Sequence, residues 1–218
     1  MFVPPFDVTS YYEFTKQEKY KVFFLSEGQN SEKFFYRHLF QNELYGFQKP
    51  EDAIFKEVKK MDSDAGVSNG LTLVKKALEW CDNENNCFDQ ERDIMVVTFD
   101  LDSLSERDIE YLIEIQTPYI LYAFSNPKFE IVQLLSLIDD LSQLEKNYYK
   151  CAQPNNILEN HFSMITHCNS KSKRSGKIVA ENYLKLIKNR KYDESDIKKA
   201  KGRFCTNLLN ILDSLSKK

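Results

Sequence analysis

The chain has 218 residues, of which 42% are hydrophobic and 29% charged; that is enough apolar surface for a sizeable core and excludes a wholly disordered protein. No apolar run approaches the roughly 18 to 20 residues of a membrane-spanning helix, and Pro4, Pro5 and Asp7 stand where a signal peptide would carry a basic start and an apolar stretch. The expectation is a soluble, cytoplasmic protein with no membrane partner.

The formal net charge of −3 conceals a division along the chain. Up to Glu145 there are 14 Lys and Arg against 27 Asp and Glu, a balance of −13, and from Lys146 onward 16 against 6, a balance of +10. Such asymmetry is a mark of nucleic-acid contact, or of two lobes that attract one another. The five cysteines, Cys81, Cys87, Cys151, Cys168 and Cys205, include no C-x-x-C pair. They read as reduced thiols and not as a zinc ribbon or a disulfide framework. His161, His167 and Cys168 lack a fourth ligand for a zinc site.

In chain order, Lys21 to Leu25 is a β-rich run ending at Ser26-Glu27-Gly28. Ser31 then suits an N-cap for an amphipathic helix reaching Leu44. Ala53 to Val58 reads as a second strand, Asp62 to Asn69 as a loop, and Leu71 to Cys81 as a helix. Ile94 to Phe99 is continuous, apolar and β-branched, as a strand covered on both faces should be, and it ends at Asp100-Leu101-Asp102. A helix over Ser105 to Ile115, a strand over Tyr119 to Phe124 and a long helix from Lys128 to about Leu144 follow. Strands alternating with helices predict an α/β fold with a mostly parallel sheet. Beyond Lys150 the pattern changes to an irregular polar stretch and two basic helices, Ser175 to Lys188 and Asp193 to Leu215. The division this suggests is an N-terminal extension over 1–20, a core over 21–150 and a basic helical region over 151–218.

Chemistry gathers beyond the carboxyl ends of strands in open parallel sheets, which singles out Glu27 and the Asp100/Asp102 pair. Residues i and i+2 on an extended chain face one side, so both aspartates can address one cation. Mg²⁺ or Mn²⁺, hard ions with oxygen ligands, would suit them. The alternative for Asp102, or Ser103, is to cap the helix that follows. For Ser125 to Glu130, Asn126 suits an N-cap, Pro127 the first helical position, and Glu130 the positive end of the helix dipole. Glu32 reads as a first-turn helix acid, with an outer-shell group of the acidic site as the alternative.

A Glu-Gly turn after one strand and Asp-x-Asp after a later one resembles the TOPRIM fold. Within that superfamily the chain is similar to the RloB-like family. Glu27, Gly28, Glu32, Phe34 and Phe35 match its opening signature, with Ser31 in the place of threonine. Asp100-Leu101-Asp102 matches its acidic motif, and Ser125, Asn126, Pro127, Phe129 and Glu130 match its S-N-P-x-F-E element, with Lys128 at the variable place. Tyr148-Tyr149-Lys150 corresponds to a later, weaker element.

The resemblance implies a TOPRIM-like, Rossmann-like sheet flanked by helices with a C-terminal helical region. It also implies a metal-dependent nuclease, set in a bacterial antiphage or restriction-linked system with a neighbouring ATPase as a candidate partner. Catalysis would fall to Glu27, Asp100 and Asp102, and metal binding to these with Glu130. Separately from the resemblance, the positive balance beyond Lys146 points to Lys150, Lys171, Lys173, Arg174 and Lys177 as the residues that would hold nucleic acid, DNA or RNA; base rates favour the alternative, a solvated helix face. Two alternatives stay open: a non-catalytic binding or regulatory subunit, and a metal-dependent phosphatase or nucleotide hydrolase.

Overall fold

A computed structural model of the chain describes residues 20–28, 30–41, 53–58, 69–151 and 156–216. The expected extension over 1–20, except Tyr20, and most of the loop over 62–69 lie outside these residues. The described strands form one sheet in the order β2-β1-β3-β4-β5. They are β1 (Tyr20–Ser26), β2 (Ala53–Glu57), β3 (Ile94–Asp100), β4 (Ile120–Asn126) and β5 (Cys205–Thr206). The first four are parallel, and β5 joins β4 antiparallel. The chain is therefore an α/β protein with a mostly parallel, Rossmann-like sheet flanked by helices, as the alternation of patterns predicts.

Alternation along the strands divides the core between the two faces. Val22, Phe24 and Val96 face one way and pack with Phe35, Tyr36 and Leu39 of α1 (Ser31–Gln41). Phe23, Leu25, Met95, Val97 and Phe99 face the other and pack with Leu73, Val74 and Ala77 of α2 (Gly70–Asp82) and Leu112 of α3 (Glu106–Glu114). Every residue of β4 is buried, which accounts for its unbroken apolar run.

The last third completes the first of these cores. Val179 of α7 (Lys173–Glu181), Leu186 of α8 (Tyr183–Lys188) and Leu208 and Leu212 of α10 (Leu208–Ser216) share it with Val22 and Val96. The other helices of this third are α6 (Ile157–Thr166) and the short α9 (Ile197–Ala200). Among the described residues no helix is long and apolar enough to cross a membrane.

Several boundaries differ from expectation for identifiable reasons. The long helix after Lys128 is two, α4 (Glu130–Leu135) and α5 (Ser142–Lys150). Asp140 accepts from the Ser142 amide at 3.0 Å, and the Tyr192 hydroxyl accepts from the Leu141 amide at 2.7 Å; these bonds fix the chain in a turn. The Ser175–Lys188 helix breaks at Asn182, whose side chain donates back to the Ile178 carbonyl. The predicted helix over Asp193 to Leu215 is interrupted by Gly202, at φ 86°, and by β5.

Asn126 caps nothing: it ends β4, and its amide donates to the Ala200 and Arg203 carbonyls at 2.9 and 2.6 Å. Ser31 is the first helical residue and not the cap, since the Phe34 amide donates to the Asn30 carbonyl. Ser105 caps α3 in a reciprocal pair with Asp108, so Asp102 does not have that role.

Candidate functional site

The strands β1 and β3 are parallel neighbours, with Leu25 opposite Val97 and Ser26 opposite Thr98, so both end at one edge of the sheet. The ladder runs on past β1, where the Glu27 amide donates to the Thr98 carbonyl at 2.8 Å. This bond turns the Glu27 side chain towards β3, and its Oε2 accepts from the Asp100 amide at 3.1 Å. Asp100 Oδ1 accepts from the Phe129 amide at 2.8 Å. The turn after β1, the end of β3 and the turn after β4 are thus joined through two carboxylates.

Asp102 belongs to the same edge. Leu101 is wholly buried and anchors the segment, while the Leu101 and Asp102 amides donate to the Ser125 and Pro127 carbonyls at 2.9 and 3.2 Å. Asp102 then pairs with Lys128, Nζ to Oδ2 at 3.5 Å. Glu130, the first residue of α4, is buried and accepts from the Ser170 hydroxyl at 3.3 Å. Glu32 is buried in the first turn of α1, with its Oε2 accepting from the Ser31 hydroxyl at 2.7 Å. A Cβ on residue 28 would overlap the Glu32 carboxylate. A larger residue there would have to displace the Glu32 carboxylate, so Gly28 lets it lie against the Glu-Gly turn.

Five carboxylates therefore influence one another. Burial first, and then repulsion from Glu32, Glu27, Glu130 and Asp102, holds the Asp100 carboxyl well above the ordinary range. Burial likewise raises Glu130, with Glu32 and Glu159 adding to it. For Lys128, burial alone would lower the ammonium, but Asp102, Glu130 and Asp100 reverse that and hold it above the usual lysine value. The Tyr148 hydroxyl is pushed up to about 12 by burial and then by Asp102, Asp100 and Glu130, so it is a protonated phenol beside the cluster.

Among the described residues, no group of three His, Cys, Asp or Glu side chains is disposed to hold a metal ion. Glu27 and Asp100 face backbone amides, Asp102 an ammonium, and Glu32 and Glu130 serine hydroxyls. The donor set is nevertheless of the kind a hard divalent cation takes: carboxylate oxygens gathered at a sheet edge, with Asp100 and Glu130 raised in pKa by burial and mutual repulsion. The match to a hard divalent cation is one of donor type alone: as the side chains stand, the described residues form no metal site.

The predicted basic residues are exposed, and one segment of them lies beside the cluster. Ser170, which donates to Glu130, leads into Lys171, Lys173, Arg174 and Lys177 at the start of α7. Lys171 pairs with Glu159 at 2.8 Å, Lys177 with Glu181 at 3.6 Å, and Lys173 lies over the Phe34 ring. Lys150 is exposed at the end of α5. A further run of basic residues, Lys198, Lys199, Lys201 and Arg203, is largely engaged: Lys199 pairs with Asp196, Arg203 with Glu194, and Lys201 donates to the Leu104 carbonyl.

Sequence reasoning named Glu27, Asp100, Asp102 and Glu130, and the fold brings them to one edge. It read Glu32 as a first-turn helix acid with an outer-shell group as the alternative, placed Tyr148 only in a weaker motif, and gave no part to Lys128 or Ser170. The signal for Glu32 was its place five residues after Glu27, in the first turn of the following helix. Comparison with known proteins finds no matching family model, no matching curated protein and no matching solved structure.

Proposed function

We propose that the chain is a divalent-metal-dependent nuclease that hydrolyses phosphodiester bonds in nucleic acid. The observation that carries this reading is the contact of Glu27 with Asp100 at the carboxyl edge of two adjacent parallel strands, inside a group of five interacting carboxylates. The residues that would hold the ion are Asp100, Asp102, Glu27 and Glu130. A bound Mg²⁺ or Mn²⁺ supplies a Lewis acid for the phosphoryl oxygen and a bound water of lowered pKa. The Phe129 amide fixes the orientation of Asp100. Glu27 is the best-placed base for a water, because it is half-buried and oriented by a hydrogen bond from the Asp100 amide. Lys171, Lys173, Arg174 and Lys177 would neutralise substrate phosphates next to Glu130.

The setting implied by the RloB-like and TOPRIM resemblance, a cytoplasmic antiphage system with an ATPase partner, is part of the same proposal. A second reading, a non-catalytic TOPRIM-like binding subunit, is favoured by one observation: Glu27, Asp100 and Asp102 are each satisfied by a protein donor. One experiment separates the two. Purified protein is incubated with plasmid, single-stranded DNA and tRNA in Mg²⁺, Mn²⁺ or EDTA, beside Asp100→Asn. Cleavage that needs the cation and disappears in Asp100→Asn supports the nuclease. Binding without cleavage in every condition supports the subunit.

A further inference from the structure

Lys128 is a cation set among the carboxylates of this site. It follows Pro127 in the turn between β4 and α4, and its side chain is 23% exposed, with most of its length covered. Its ammonium is 3.5 Å from Asp102 Oδ2 and senses Glu130 and Asp100 as well. A lysine with a chain of this length has abundant solvent within reach. Here it turns inward, where the field of the carboxylates outweighs the cost of burying it.

We propose that Lys128 is a built-in counter-ion that competes with the divalent cation for Asp102 and so sets the cation affinity of the site. The inference rests on the metal-site reading above. An ammonium and a divalent ion seek the same carboxylate oxygens, and both cannot lie against Asp102 without strong mutual repulsion. Cation binding at Asp102 therefore works against the ammonium already beside it. Lys128 is on this account a positioning residue: it holds the cluster together when no divalent ion is bound and raises the concentration at which one enters. A lysine that merely oriented Asp102 as a ligand would have the opposite effect, because its loss would weaken cation binding.

The test is a Mn²⁺ titration followed by the decrease of the free-ion paramagnetic resonance signal, on wild type, Lys128→Met and Lys128→Arg. Lys128→Met is expected to bind Mn²⁺ about tenfold more tightly, the effect of removing one nearby positive charge from a partly buried site. Lys128→Arg, which keeps the charge, is expected to bind as wild type does. Without cation, Lys128→Met should melt lower than wild type, and adding Asp102→Asn should recover much of the difference. Lys128→Gln serves the same comparison if the methionine variant does not fold. Unchanged or weaker Mn²⁺ binding in Lys128→Met overturns this inference and leaves the metal site standing. No Mn²⁺ binding by wild type overturns the metal site itself.

Discussion

The surroundings of Asp100 favour its protonated form. Its carboxyl is raised by burial and four neighbouring acids, so the folded state binds a proton that the unfolded chain has already released. Its contribution is therefore favourable in acid and is lost as the pH rises past the ordinary carboxylate value. Asp100→Asn keeps the oxygen that accepts from the Phe129 amide and cannot ionise. Its melting temperature in EDTA is expected to rise by about 2 to 8 °C, while the stabilisation of wild type by millimolar Mn²⁺ should be absent. An equal Mn²⁺ response in wild type and variant would move the metal elsewhere. A second buried acid obeys the same sign far from the site. Asp193 has an unpartnered Oδ1 and an 8% exposed side chain, and burial, opposed by Arg190, pushes its carboxyl up to about 6. Its favourable proton is present below about pH 4 and lost as the pH climbs through about 6. Asp193→Asn should raise stability by about 1 to 2 kcal/mol at pH 7.5 and by clearly less at pH 4.5. Urea denaturation at the two pH values reads the difference.

The elements around the site are positioned by close backbone approach as much as by apolar burial. A Cβ on Gly176 would overlap the Ser31 carbonyl oxygen and crowd the Phe35 amide, so α7 meets α1 at the turn that carries Glu32. Gly176→Ala must push the two helices apart and is expected to cost about 2 to 4 kcal/mol. Gly202→Ala is the contrasting case: at φ 86° with open space around it, it should cost about 1 kcal/mol of backbone strain. Guanidinium denaturation that ranked Gly202→Ala as the more damaging would contradict this account of the packing. The strands and their terminal acids were legible in the sequence because a strand covered on both faces must be continuously apolar, so the first carboxylate after it marks its end. Thr98-Phe99-Asp100 is such a boundary. The sequence was mute where a local signal yields to a distant partner. Asn126 looks like a helix cap, but its amide is claimed by carbonyls 74 and 77 residues away. The break before Ser142 depends on the Tyr192 hydroxyl, 51 residues beyond Leu141. A two-residue strand such as Cys205–Thr206 is too short to show a period at all. Lys128 escaped notice for another reason, since a lone lysine in a turn is ordinarily a solvated one.

Across the whole molecule the division of charge acquires a spatial meaning. The acidic first part supplies the carboxylate edge, and the basic last part returns to it: Ser170 donates to Glu130, and Gly176 lets α7 lie on α1. Lys171, Lys173 and Arg174 thus begin within a few residues of the serine that touches a buried acid of the cluster. A polyanion approaching the acidic edge is repelled unless cations stand beside it, and these three are exposed and suitably near. They are not idle in the free protein, since Lys171 pairs with Glu159 and Lys173 lies over Phe34. Pairs so exposed to solvent are weak, about 0 to 1 kcal/mol each, and a phosphate can exchange for them. Replacing all three with alanine is expected to weaken binding alike for every nucleic-acid sequence, because phosphate contacts carry no base information. The slope of log K against log salt should flatten by about 0.7 to 0.9 for each phosphate that the variant no longer neutralises. If the proposed nuclease reading holds, cleavage at saturating substrate should fall far less in the triple variant than in Asp100→Asn, since these residues would hold the nucleic acid and touch no reacting atom. Binding measured by fluorescence anisotropy from about 50 to 200 mM salt gives the slope. A slope identical to wild type would assign the basic segment to its contacts with Glu159 and Phe34, or to a protein partner, and would leave the attraction of nucleic acid to other residues.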